Sequence, residues 1–127
     1  DAYAAGARKT GWHISAATQL VFNRALARTA HELNMAVVLK ADLGQTRELV
    51  GDFDMAVNEQ CFQNDECDTL LPFVRAGKPV FEVEYELAPA AFCARAARYG
   101  FNAVKKGRDE QLYDLPWAPC PRRSDRP

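Results

Sequence analysis

The chain has 127 residues, of which 48% are hydrophobic and 26% are charged, and its formal net charge is −1. This composition is typical of a single globular domain with its own core. A charge so close to zero does not favour a nucleic acid or an anionic membrane as partner, and no apolar run is long enough to span a bilayer.

The two ends of the chain predict little folded structure. It begins with Asp1 rather than Met, so we expect a piece of a longer protein, with any targeting segment lying upstream. The stretch 121–127, P-R-R-S-D-R-P, is rich in charge and proline and is predicted to be a disordered tail. The predicted domain therefore covers residues 1–120, and we expect it to be a monomer.

Four helical segments alternate with four strand-like segments. Ser15 is a plausible N-cap for the first helix, in which Phe22, Leu26, Ala30 and Leu33 form one apolar stripe. The predicted helices cover residues 15–33, 46–51, 69–77 (capped by Asp68) and 89–100, and the predicted strands cover residues 35–40, 53–57, 79–85 and 101–105.

This alternation predicts an α/β fold with a parallel sheet and right-handed crossovers. The strands are mostly apolar, as expected when both faces of a sheet are buried. A complete (β/α) barrel has eight such units and about 250 residues. We therefore expect either a small open α/β sheet or the second half of a barrel, strands five to eight.

The chain contains four cysteines: Cys61, Cys67, Cys93 and Cys120. None forms a C-x-x-C motif, which disfavours a zinc site, and three disulfide connectivities are possible. The short loop from Cys61 to Cys67 could close on itself, leaving Cys93 to join the last helix to Cys120. Free buried thiols are the alternative; disulfides would indicate an extracytoplasmic protein.

The stretch 53–61, F-D-M-A-V-N-E-Q-C, runs from apolar residues into a carboxylate flanked by two amides. In barrels and open α/β sheets, sites are built at the carboxyl ends of the strands. We therefore interpret Glu59 as the catalytic acid of a glycoside hydrolase, a reaction that usually needs two carboxyl groups. The alternative is a salt-bridged or helix-capping glutamate.

Several other residues could contact a ligand. Glu82 and Glu84 share one face of their strand; if that face lines the barrel, Glu84 could bind an amino sugar, and if not, both are rim or helix-facing carboxylates. Lys40 ends a strand, as does Lys105, and could bind a hydroxyl or hold a carboxylate. Four aromatic residues could stack on sugar rings, although core positions are commoner for aromatic residues: Tyr3, Trp12, Tyr85 and Trp117.

Asn58 could orient Glu59 or a sugar hydroxyl. Strict alternation along a strand would place its side chain on the face opposite Glu59, unless the strand breaks there.

Motifs for other chemistries are missing from the sequence. There is no G-x-G-x-x-G or G-K-[ST] motif for a nucleotide and no G-x-S-x-G motif of a serine hydrolase. His13 and His31 lack metal-ligand spacing. We therefore expect neither a cofactor nor a metal.

Together, six motifs resemble glycoside hydrolase family 114, the endo-α-1,4-polygalactosaminidases, whose fold is a (β/α) barrel. They are V-N-E-Q-C (57–61), E-C-D (66–68), A-G-K-P-V-F (76–81), V-E-Y (83–85), F-C-A-R-A (92–96) and G-F-N-A-V-K-K (100–106). The upstream segment 11–40 fits the same family.

The resemblance implies a pair of catalytic carboxylates. The family's fourth strand ends in a motif like N-V-D-G-Y. Asp1, Ala2 and Tyr3 would be the last three residues of this motif, with Ala2 in place of the usual Gly, so the family's catalytic Asp falls on Asp1. Its catalytic Glu falls on Glu59. The family tends to have L-K-N-D where this chain has L-K-A-D (39–42), so any contact of that Asn is lost with Ala41.

The expected function is cleavage of an α-1,4-linked galactosamine polysaccharide by a secreted glycosidase. Asp1 and Glu59 would be catalytic, and the expected substrate-binding residues are Tyr3, Lys40, Asn58, Glu84 and Tyr85. The rival hypothesis is a non-catalytic or degenerate half-barrel that binds carbohydrate.

Overall fold

The structure, a computed structural model, describes residues 14–109, 112 and 116–121. The predictions for Asp1, Tyr3, Trp12 and the tail beyond residue 121 lie outside these ranges.

Five strands form one sheet in the order β1-β2-β3-β4-β5. The first four are parallel to their neighbours, and β5 is antiparallel to β4. Their bounds are β1 Val38–Lys40, β2 Met55–Glu59, β3 Val80–Glu84, β4 Asn102–Lys105 and β5 Ala118–Pro119. The predicted parallel α/β pairing is confirmed; β5 was not predicted, because two residues carry no periodic pattern.

The described residues form four helices: α1 Ala16–Glu32, which precedes β1, and three that connect successive strands, α2 Thr46–Leu49, α3 Leu71–Arg75 and α4 Pro89–Tyr99. Ser15 caps α1 as predicted, its hydroxyl accepting from the backbone N–H of Thr18 at 3.1 Å. Gly100 ends α4 with a φ of 77°, which a residue without a side chain adopts at little cost. None of the helices in the described ranges is long and apolar enough to cross a membrane.

The predicted cap at Asp68 is wrong. A 3-10 turn, Cys67–Leu70, precedes α3, which has no side-chain cap. The carboxylate of Asp68 instead accepts a hydrogen bond from the Tyr99 hydroxyl at 2.6 Å. Asp68 therefore joins this turn to the end of α4.

The sheet has two different faces. On one, which we call the helix face, Leu39, Ala56, Val80 and Ala103 pack with helical residues in the hydrophobic core. The opposite side, which we call the Glu59 face, carries Lys40 and Val57 as register partners, and Glu59 as the partner of Val83. The helices and the core therefore lie on one side of the sheet.

The apolar stripe predicted on α1 is not buried in this structure. Phe22, Leu26 and Leu33 are 58%, 51% and 63% exposed. The residues of α1 that are buried are instead Asn23 and Ala27. The side of α1 that packs on the described sheet is therefore not its most apolar side.

All four cysteines form disulfides, Cys61–Cys67 and Cys93–Cys120. The first closes the loop after β2, and the second joins α4 to the segment that follows β5. Of the three possible connectivities, the structure contains the one in which the short loop closes on itself.

Two successive non-glycine residues after β1 adopt the left-handed conformation, Ala41 with a φ of 55° and Asp42 with a φ of 54°. An alanine side chain is disfavoured in this region by contact of its Cβ with the backbone. Asparagine is enriched there, so the backbone gives a reason for the asparagine that the resembling family tends to have at this position.

We expect Ala41→Gly to raise the free energy of unfolding by about 1 kcal/mol, because glycine adopts this conformation without steric strain. Urea unfolding followed by circular dichroism measures the change. Ala36→Gly is the matched control, since Ala36 is exposed and is not among the residues with positive φ. Equal effects of the two substitutions would contradict strain at Ala41.

Candidate active site

Lys40 and Glu59 lie side by side at the carboxyl edge of the sheet. They are the last residues of β1 and β2, and Lys40 Nζ is 3.4 Å from Glu59 Oε1. Their side chains are 53% and 32% exposed, so a molecule in solution can reach both. This is the edge where sites of parallel α/β folds are built.

Buried polar contacts define the path of the chain after Lys40. The N–H of Ala41 continues the ladder to the carbonyl of Val57 at 2.9 Å. The buried carboxylate of Asp42 accepts from Asn23 Nδ2 at 2.8 Å, which joins this turn to α1. The left-handed pair Ala41 and Asp42 is thus held from two sides, and the direction of Lys40 with it.

The chain turns sharply after Glu59. Gln60 has a φ of 61°, and its N–H still bonds to the carbonyl of Val83 on β3 at 2.8 Å. One helical turn follows, in which the N–H of Asn64 bonds to the carbonyl of Gln60 at 3.0 Å. The first N–H groups of this turn need partners outside it.

Two glutamates of β3 supply those partners. Glu82 Oε1 accepts from the N–H of Cys61, and Glu84 Oε1 accepts from the N–H of Phe62, each at 2.8 Å. Both glutamates are fully buried on the helix face, with 0% exposure. The other carboxyl oxygen of each, Oε2, is buried and makes no hydrogen bond within the described ranges.

Burial changes the acidity of this pair. It raises the pKa of Glu82 to about 8; the Cys61 N–H opposes the change, and the charge of Glu84 adds to it. Burial also raises the pKa of Glu84, against the N–H groups of Phe62 and Gln63 and the charge of Lys105. Glu82 is therefore protonated at neutral pH.

The structure does not place Glu84 or Asn58 beside Glu59. Both side chains are on the helix face, which is the helix-facing alternative that the sequence left open for Glu84. Asn58 is 3% exposed, and its Nδ2 donates to the carbonyl of Glu59 at 3.0 Å. The prediction that these two residues bind substrate is corrected: strand alternation turns both away from solvent.

Tyr85 is also corrected as a stacking residue. It follows β3, and its side chain is only 1% exposed, so its ring offers no surface to a sugar in this structure. Its carbonyl accepts a hydrogen bond from Lys105 Nζ. Trp117 is 59% exposed, with Lys106 Nζ 5.3 Å from its ring centroid, so its prediction as a stacking residue stays open.

Sequence reasoning missed the role of Glu82 as the partner of a backbone turn. One signal pointed to it, since Val80, Glu82 and Glu84 alternate in phase, so that a buried Val80 would bury both acids. The turn they bind could not be found in this way, because its left-handed residue Gln60 is not a glycine. Among the described residues, no three side chains of the metal-ligating types come together.

Comparison with known proteins identifies the family and the fold of the chain. The sequence model of Glycoside-hydrolase family GH114 matches residues 1–120. The crystal structure of Aspergillus fumigatus Ega3 in complex with galactosamine is similar, with a TM-score of 0.73 and 30% sequence identity. The match covers 84% of this chain and 47% of that one, so this chain spans about half the length of Ega3.

No curated protein matches the chain. The matched fold is part of a TIM-like (β/α) barrel, as the resemblance predicted, rather than a separate small open sheet. The family match extends over nearly the whole sequence, and the chain therefore belongs to glycoside hydrolase family GH114.

Proposed function

We propose that the protein containing this chain is a glycosidase in which Glu59 is the catalytic acid. The observation that carries the proposal is the position of Glu59: a reachable carboxyl group at the carboxyl edge of a parallel sheet, 3.4 Å from Lys40. Membership of the family and the similarity to Ega3 support the proposal.

In this mechanism Glu59 protonates the oxygen of the leaving sugar as the glycosidic bond breaks. A carboxylate is left behind, and the ammonium group of Lys40 stabilises it. Asp1, which lies outside the described residues, is proposed as the nucleophile on the strength of the family motif alone: it bonds to the sugar carbon as the leaving sugar departs, and water then hydrolyses this ester with Glu59 as base. Tyr3 is proposed as a neighbouring substrate contact on the same ground.

We infer that the substrate is a polymer containing α-1,4-linked galactosamine, cleaved within the chain. The similar Ega3 structure contains galactosamine. A polymer with free amino groups is positively charged, and carboxylates at the site attract it. Because Glu84 is buried and Glu59 is the proposed protonated acid, Asp1 is the proposed source of that negative charge.

We also propose an extracytoplasmic location. Both disulfides form in the structure, and disulfides persist mainly in oxidising compartments.

The direct test uses the full-length protein on two polymers, first de-N-acetylated galactosaminan and then chitosan. We expect the first to be shortened and chitosan to be left intact. Equal cleavage of chitosan would contradict the galactosamine assignment. Binding of galactosaminan without cleavage would favour the rival, a half-barrel that binds carbohydrate.

Lys40→Met tests the role of the neighbouring cation. We expect kcat to fall about tenfold, a modest effect because the pair is partly exposed to solvent and its charges are screened. Lys40→Arg is the matched control and should keep most of the activity, since it retains the charge. A Lys40→Met variant with unchanged kcat would remove Lys40 from the mechanism.

A further inference from the structure

The turn after Glu59 is tied to the sheet through Glu82 and Glu84. The N–H of Cys61 bonds to the first and the N–H of Phe62 to the second, each at 2.8 Å. Both acids belong to β3, the strand that pairs with β2. Two side chains of one strand thus hold two consecutive peptide groups, starting two residues beyond Glu59.

Apart from the backbone bond of Gln60 to Val83, other contacts hold the same loop, but not to the sheet. The disulfide Cys61–Cys67 joins the loop only to itself. Phe62 stacks near Phe92 and Tyr99, with ring centroids 5.8 and 6.1 Å away, and the guanidinium of Arg95 is 5.3 Å from its ring centroid. These contacts fix the loop against α4, whereas the two carboxyl groups fix its start against β3.

We propose that Glu82 and Glu84 are positioning residues, which orient Glu59 by anchoring the first two N–H groups of the turn that follows it. The inference rests on the proposed function, because it assigns Glu59 as the group to be oriented. Within the described ranges, after Glu59 the sheet holds the backbone through one further backbone bond only, from the N–H of Gln60 to the carbonyl of Val83. The left-handed Gln60 and the anchored peptide groups of Cys61 and Phe62 supply the remaining constraint.

Apolar side chains could fill this part of the core without the cost of burying acids. They would leave the N–H groups of Cys61 and Phe62 buried and unpaired, which is itself unfavourable. The turn would then reorient toward water, and a displacement of about 1 Å at a catalytic group costs as much as 10²-fold in rate. Two buried acids at this position provide the acceptors that an anchoring role requires.

The test compares two kinds of substitution in the full-length protein, assayed on galactosaminan. Glu82→Met and Glu84→Met remove the acceptor, and we expect each to lower kcat by roughly 10²-fold with little change in KM. Glu82→Gln and Glu84→Gln each keep an oxygen that can accept from the N–H of Cys61 or of Phe62. We expect these two variants to keep most of the wild-type kcat. A purely structural role predicts no such split between kcat and KM.

Thr46→Val is the matched control for loss of a buried hydrogen bond. The Thr46 hydroxyl bonds to the carbonyl of Thr69 at 2.6 Å, and neither residue belongs to the turn 60–64 that follows Glu59, so this variant should lose stability and keep kcat. Should a Met variant fail to fold, Glu84→Asp replaces it: the side chain keeps its charge but is one carbon–carbon bond shorter, and the same loss of kcat is expected.

Met variants with wild-type kcat would overturn the proposal, and so would a Thr46→Val variant that loses as much kcat as they do. Glu59→Gln, measured in the same assay, separates the two hypotheses. If it keeps its activity, the proposed function fails. If it loses activity while the Met variants do not, only the positioning role fails.

Discussion

Replacing Glu59 with glutamine is expected to lower kcat on galactosaminan by roughly 10³-fold, the usual range for loss of a general acid. Glutamine has nearly the same shape but no proton that it can give to the leaving oxygen. KM and the unfolding temperature should change little, because the side chain is partly exposed at the strand end. Steady-state kinetics of the full-length variant measure the effect.

Two comparisons make this result specific to an acid. Glu48→Gln, the same change at an exposed position on α2, should keep wild-type activity. An aryl galactosaminide with a good leaving group needs less protonation, so the Glu59→Gln variant should lose less activity on it than on the polymer. Activity within a few-fold of wild type on the polymer would exclude Glu59 as the acid.

The second large effect concerns stability and pH. Burial raises the pKa of Glu82 to about 8, from an ordinary value of 4.5 that holds for the unfolded chain. Between pH 4.5 and pH 8 the folded state therefore binds more protons than the unfolded state. Stability from this group is therefore complete below about pH 4.5 and is lost as the pH rises through 8. The shift corresponds to a loss on the order of 5 kcal/mol.

Glu82→Gln should remove this dependence, since an amide does not titrate in this range and its oxygen can still accept from the N–H of Cys61. The charged and polar groups facing Glu82 are Glu84 on the same strand, Asn58 on β2 and the N–H of Cys61, with Lys105 beside Glu84. We expect the variant to gain stability relative to wild type between pH 5 and pH 8.5, measured by urea unfolding. Parallel pH curves would contradict a buried proton on Glu82.

The order of the elements could be predicted from the sequence, because each depends on local signals. The Ser15 cap and the Gly100 stop are short-range features, and both define helix ends in the structure. The burial of α1 could not be predicted in this way. Its apolar residues Phe22, Leu26 and Leu33 are exposed, because the side of a helix that faces the sheet is set by tertiary contacts that its own periodicity does not display.

The site was predictable only as far as strand ends allow. Glu59 was found because a carboxylate follows an apolar strand, and Lys40 because it ends another. Which face each side chain takes depends on register with the neighbouring strands, and no single sequence displays this. For that reason we expected Glu84 to bind a sugar. In the structure its carboxyl group instead accepts a hydrogen bond from the N–H of Phe62.

The role of Glu59 as the acid is tested most directly by a crystal structure of the full-length Glu59→Gln protein with a bound galactosamine oligosaccharide. We expect the sugar to cross the carboxyl edge of β1 and β2, with the amide of residue 59 within hydrogen-bond distance, about 3 Å, of a glycosidic oxygen. A sugar seated elsewhere, with residue 59 out of reach of every glycosidic bond, would contradict it.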